Sequence, residues 1–386
     1  MPRPLSVAAR DPTPDDDTLF EHGPPESFER RLMWTRPGFS GAARRAVIVA
    51  AVAWLPVVLL MLIVPGGIEP QRIGVHARYL IAAPLLVLAE TVCAQRLTLL
   101  VREFTRARLV PEQALGRFDH AVTSTRRLLR SRVAESLAWL AAYATVATLL
   151  QPLNAHSVAP LAQWSPAMWW NALVSLPLLL TLIFGWLWRV ALWTRLLASI
   201  ARLDLQLVAT HPDHAAGLGF IGQSLRAFTI VAFALATIAA GETMRQAMTT
   251  DSLSQSKIYF NVLWALGIVV LFVLPLTVFA PVLARALRRG IVRYGRFAAD
   301  VARVVDARWI QSNEPRRAEA ALAEPDFSAT TDLYSVVSNV YALRAFPVRP
   351  REVLMLLAAV ALPYVPIVLL TVPPQVIWDH LRDVLL

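Results

Sequence analysis

Residues 168–202 read MWWNALVSLPLLLTLIFGWLWRVALWTRLLASIAR. No charged residue falls between Met168 and Trp188, and Arg189, Arg195 and Arg202 then follow at helical spacing. A hydrocarbon layer about 30 Å thick is crossed by roughly 20 apolar residues in a helix, so this stretch has the length and composition of a membrane span. Trp164, Trp169 and Trp170 stand at one end and Trp186, Trp188 and Trp193 at the other, where amphipathic rings sit at headgroup level. The arginines past the second girdle carry the helix onward into water.

The same pattern recurs along the chain. Apolar stretches of comparable length lie at about 46–65, 79–100, 136–151, 226–248, 259–284 and 352–372, which with 168–192 makes seven. An all-α, polytopic membrane protein of about seven transmembrane helices is the expected fold, with helices extended into the cytoplasm. A hydrophobic share of 56% and a mean hydropathy of +0.51 exceed what a water-soluble chain of 386 residues carries. The third stretch is short and is expected to borrow length from Val133 and its flanks. Pro363 and Pro366 lie inside the last one, with Pro373 and Pro374 just beyond, so six spans are firm and the seventh is either a span or a re-entrant segment.

Orientation follows from the cations. With the N-terminus inside, 32 of the 37 Lys and Arg residues fall on cytoplasmic segments, leaving Arg72, Arg78, Arg245, Lys257 and Arg382 outside. Basic residues beside spans are retained on the cytoplasmic side, and the expected location is therefore a cell membrane, read as a bacterial inner membrane, with a cytoplasmic N-terminus. The formal charge of +10 is spread along span ends rather than gathered on one module. Anionic lipid headgroups are its expected partner, nucleic acid is not, and a homo-oligomer is compatible with the pattern.

Four regions follow. Residues 1–45 form a Pro-rich, acidic and largely disordered tail with no early apolar core, ending in SFERRLMW (27–34), whose spacing suits a short amphipathic segment on the inner leaflet. Residues 46–284 hold the six-span bundle, with a cytoplasmic helical hairpin at about 101–135. Residues 285–350 form a basic helix to about Ile310 and a second near 330–344, capped by Asp332 or Ser328, with Leu333, Val336, Val337, Val340 and Tyr341 as its apolar face. Residues 351–386 hold the last apolar segment and an amphipathic C-terminus.

Charges inside spans are the candidate functional groups, because an unpaired charge in hydrocarbon is costly. Glu90 lies near the middle of the second span, in PLLVLAETVCAQ (84–95), and must be paired, protonated or wet; Arg189 and Arg96 are the candidate partners. Glu242 and Arg245 are three residues apart in the fifth span and share a helix face. His76 and Arg78, at the outer mouth of the second span, are candidates to line an outer vestibule with Glu242. Cys93, the single cysteine, is expected to be a buried apolar residue.

The most unusual local sequence is LVATHPDHAAGLGFIGQS (207–224), between the fourth and fifth spans. His211, Asp213 and His214 crowd a turn opened by Pro212 and followed by Gly217, Gly219 and Gly222. Three chemistries compete: a metal site, an anion site on glycine N–H groups with Arg202 and Arg226, or a structural loop in which Asp213 bonds its own backbone. Two histidines at i and i+3 with one Asp lack a fourth ligand nearby, so no metal site is expected. The tripeptide His211-Pro212-Asp213 resembles the loop motif of J-domain cochaperones, but the flanks depart from it, since an apolar span follows in place of a soluble helix. The sequence names no cofactor, and no nucleophile elbow, phosphate loop or zinc-protease helix occurs.

Two functions are compatible with these residues. A transporter or channel would use Glu90, with Glu242, His76 and Arg189 along its path, and is the favoured expectation. A scaffold or regulatory subunit would bind lipid or a partner through the arginine-rich helices. A membrane-embedded enzyme at the 211–214 loop is a third. The state of Glu90 separates the first two, since a relay carboxylate must meet water whereas a structural one is sealed by arginine.

Overall fold

A computed structural model describes residues 19–20, 39–63, 73–155, 164–249, 255–307 and 325–371. The amphipathic segment at 27–34 and the C-terminus after Thr371 lie outside them. Of the described residues 87% are helical, and none of them lies in a strand. Among the described residues nine long helices follow in order: α1 (Phe39–Ile63), α2 (Ile73–Arg106), α3 (Leu115–Leu129), α4 (Arg132–Ala155), α5 (Pro166–Ala201), α6 (Gly219–Met248), α7 (Gln255–Val305), α8 (Pro325–Tyr341) and α9 (Pro350–Thr371). Seven of them, all but α3 and α8, are long and apolar enough to cross a membrane.

Prolines account for the irregular turns. Pro84 and Pro177 lack the N–H that would bond four residues back, and each is immediately preceded by a π-helical stretch, His76–Ala82 and Asn171–Ser175. These two loosened turns meet, because the Tyr79 hydroxyl donates to Asn171 Oδ1 at 2.6 Å. Pro275 and Pro363 instead tighten α7 and α9 into short 3-10 turns at Leu274–Phe279 and Leu362–Tyr364. Pro363 therefore leaves α9 continuous over 22 residues, about 33 Å of helix.

The third apolar stretch does take length from Val133 and its flanks: it belongs to a 24-residue helix, α4, that starts at Arg132. The basic helix expected to end near Ile310 is the direct continuation of the sixth span, and α7 runs 51 residues, about 76 Å, through the 3-10 turn at Leu274–Phe279. Helix α8 also begins earlier than expected, with Pro325 as its first residue, a position that suits proline because the first N–H of a helix has no partner. Ser328 and Asp332 thus lie within the helix, and its buried face is narrow: Val337 and Val340 are buried, whereas Val336 and Tyr341 are exposed.

The core is built by α2, α5 and α6. In their most apolar windows 61, 56 and 67% of residues are buried, against 17 to 28% for the other four long helices. Helix α6 packs on α2, α7 and α9, α2 on α1, and α5 on α3 and α4. Ala227, Ala232, Ala234 and Ala236 are fully buried on α6, and such small side chains let neighbouring backbones approach closely. Larger groups fill the remaining space: Phe228 stacks on Phe272 of α7 at 5.0 Å, and Phe104 meets Phe220 edge-on at 5.1 Å. The peripheral helices expose Leu59, Leu140, Leu263 and Leu369 outward, which leaves an extensive apolar surface.

Candidate functional site

Glu90 is 3% exposed and held between two arginines from different helices. Arg189 of α5, itself 3% exposed, pairs with Oε1, and Arg45 of α1 reaches Oε2 at 3.4 Å. The Arg189 guanidinium also lies 5.3 Å from the Trp186 ring centre, and Trp186 Nε1 donates to the Leu86 carbonyl at 3.0 Å. The carboxylate thus ties α2 to both α5 and α1, and the second cation is one the sequence did not point to. Arg96, the other partner considered, turns instead to the Arg226 carbonyl at 3.1 Å.

A second charge cluster sits toward the other end of the bundle. Glu242 accepts from Arg245 Nη2 at 2.6 Å on its own helix, from Gln246 at 3.0 Å, and from Arg78 of α2 at 3.0 Å. Its side chain is about one-third exposed, as are those of Arg245 and Arg78. His76 does not join this cluster: its Nδ1 accepts from Trp54 Nε1 of α1 at 2.7 Å.

The 211–222 loop is tied inward. Asp213 takes the backbone N–H of Ala215 and Gly217 on Oδ1, at 2.8 and 3.1 Å, and that of Gly219 on Oδ2 at 2.8 Å. His211 Nδ1 lies 2.8 Å from Asp213 Oδ1. Burial pushes the Asp213 carboxyl up, but the three N–H groups and His211 together outweigh it and hold it below its ordinary value. The glycine N–H groups that would have cradled an external anion are thus spent on the loop's own aspartate. His214 adopts φ +54°, and its carbonyl accepts from Arg344 N at 2.8 Å. Gly217 adopts φ +94°, which a side chain resists, with Leu109 packed over it.

Gly222 faces Glu352 at the start of α9. Glu352 is 2% exposed, and its Oε2 accepts the N–H of Arg349 at 3.1 Å. A Cβ at Gly222 would fall within contact distance of that carboxylate and 3.0 Å from the Pro347 carbonyl. The loop is therefore a keystone joining the α5 end, the start of α6 and the start of α9. Among the described residues, no group of three or more His, Cys, Asp and Glu side chains is placed to hold a metal ion.

The arginine-rich end holds a further feature. A cleft of about 700 Å³ opens between the chain leaving α5, residues 201–209, and one face of α7. Arg202 comes from the first wall and Arg285, Arg289 and Arg293 from the second, with Tyr294 beside them and Asp204 as the one carboxylate of the lining. Sequence reasoning took Arg202 as a candidate anion ligand beside the glycine loop and Arg285, Arg289 and Arg293 only as charges of a basic helix; the signal available was the i, i+4, i+8 spacing of those three, which puts them on one helical face. A Cβ at Gly290 would fall 2.8 Å from both Ala209 Cβ and Val340 Cγ1, so this glycine lets α7 close on both the 201–209 wall and α8.

No family model, curated protein or solved structure matches this chain.

Proposed function

We propose that this chain is a multi-pass membrane scaffold, N-terminus inside, whose arginine-rich cytoplasmic helix ends engage anionic phospholipid headgroups. The carrying observation is α7, which passes without a break from an apolar segment into one bearing Arg285, Arg288, Arg289, Arg293 and Arg296, with no acidic residue before Asp300. Cations just beyond a span attract an anionic leaflet by about 1 kcal/mol each. The clamp on Glu90 supports the same reading. A relay group must exchange protons with water, and a carboxylate enclosed by Arg45 and Arg189 is a structural tie between α1, α2 and α5. The transport reading keeps one supporting feature, the partly exposed Arg78, Glu242 and Arg245 cluster at the other end of the bundle.

Reconstitution decides between the two. The scaffold reading expects proton and ion flux equal to that of empty vesicles and enrichment of phosphatidylglycerol over phosphatidylcholine around the chain. A flux present in the wild type and lost in Glu90→Gln overturns it.

A further inference from the structure

Four guanidinium groups line the α5–α7 cleft, and none forms an ion pair among the described residues. Arg285 makes one internal bond, from Nε to the Pro281 carbonyl at 3.2 Å. Where a carboxylate stands within reach the arginines take it: Glu90 and Glu242 each hold two, and exposed Arg303 reaches Asp300 at 2.7 Å. Arg285, Arg289 and Arg293 stand one turn apart, about 6 Å each, making a column about 12 Å long. Like charges at that spacing repel, and an anion bound between them relieves the repulsion beyond what water and salt screen.

We propose that this cleft binds an anion carrying two or more phosphate groups, presented by a lipid headgroup or by a soluble diphosphate. The proposal deepens the scaffold reading above and rests on it. One tetrahedral phosphate bridges two guanidiniums a turn apart but does not span the column, and two phosphates in one molecule do. Arginine forks match phosphate oxygens in pairs, and a lining of four arginines against Asp204 leaves three positive charges to be met. The volume suits a headgroup or small ligand. Arg285 is the first charged residue of α7 after Lys257, so the column begins where the apolar segment ends, at headgroup depth.

The test uses the full chain in neutral detergent, with inorganic pyrophosphate as the soluble probe, and in phosphatidylcholine vesicles with or without diphosphatidylglycerol as the lipid probe. A cleft variant, R285Q/R289Q/R293Q, is compared with R106Q/R117Q/R127Q, which removes as many exposed arginines elsewhere. Affinity for at least one probe should fall about tenfold or more in the cleft variant only, since that variant alone removes the charge-assisted bonds to the phosphates. Binding of pyrophosphate alone identifies a soluble ligand, and binding of diphosphatidylglycerol alone a lipid. Equal losses in both variants overturn the site while leaving the general attraction to anionic lipid in place. A wild type with no preference for either probe overturns both. Should the triple variant fail to fold, R289Q alone carries the comparison.

Discussion

Glu90 on α2 and Arg189 on α5 form a buried ion pair whose partners are each 3% exposed, and Arg45 of α1 closes the other side of the carboxylate. Removing one member strands a charge where water cannot reach it. Glu90→Gln should therefore cost about 3 to 5 kcal/mol, read as unfolding in detergent. The double variant Glu90→Leu, Arg189→Met should recover much of that loss, because two apolar groups fill the space of the pair. Wild-type stability of Glu90→Gln would mean that the arginines are hydrated.

Asp213 carries a pH dependence of definite sign. Its carboxyl lies below its ordinary value, so its contribution is complete above about pH 4 and is lost as pH falls through the lower folded value. Asp213→Asn should flatten the acid limb of a stability-against-pH curve and leave the chain less stable near neutrality. An unchanged acid limb would show that the three N–H bonds are not the loop's anchor.

Gly222→Ala should loosen the seat of α9. The added methyl displaces Glu352, which then no longer accepts the Arg349 N–H, at about 1 to 3 kcal/mol for the overpacking. Gly217→Val should cost a similar amount through its φ of +94°. Hydrogen exchange localises the effects, with faster exchange at 350–356 expected for the first and at 207–219 for the second.

Orientation is tested by reporter fusion. A fusion after Gly290 should read cytoplasmic and one near Asn154 external, because 32 of 37 cations lie on the assigned inner segments. An external reading after Gly290 reverses the whole assignment.

Length and hydropathy made the seven long helices legible, because each depends only on a local run of apolar residues. Helix ends were less legible. Near Ala284 the chain changes composition and not conformation, and nothing local to Arg285 ends a helix. At Glu90 the sequence pointed to Arg189, which stands across one helix contact, but Arg45 reaches the carboxylate only because α1 packs on α2. The 211–222 loop announced its turn chemistry through Pro212, Asp213 and Gly217, yet its attachment to Glu352 depends on a segment 130 residues away in sequence. The arginine cleft was hidden for the same reason, since Arg202 and Arg285 become neighbours only when α5 and α7 pack.

The central claim, that arginine-rich helix ends hold an anionic leaflet, is tested most directly by the lipid preference of the reconstituted full chain as salt is raised. Between about 0.1 M and about 1 M the screening length falls from ~10 Å to ~3 Å. The preference for phosphatidylglycerol over phosphatidylcholine should be marked at the lower salt and should shrink steeply toward the higher. A chain that associates equally with both lipids at about 0.1 M, or whose preference ignores salt, contradicts the account.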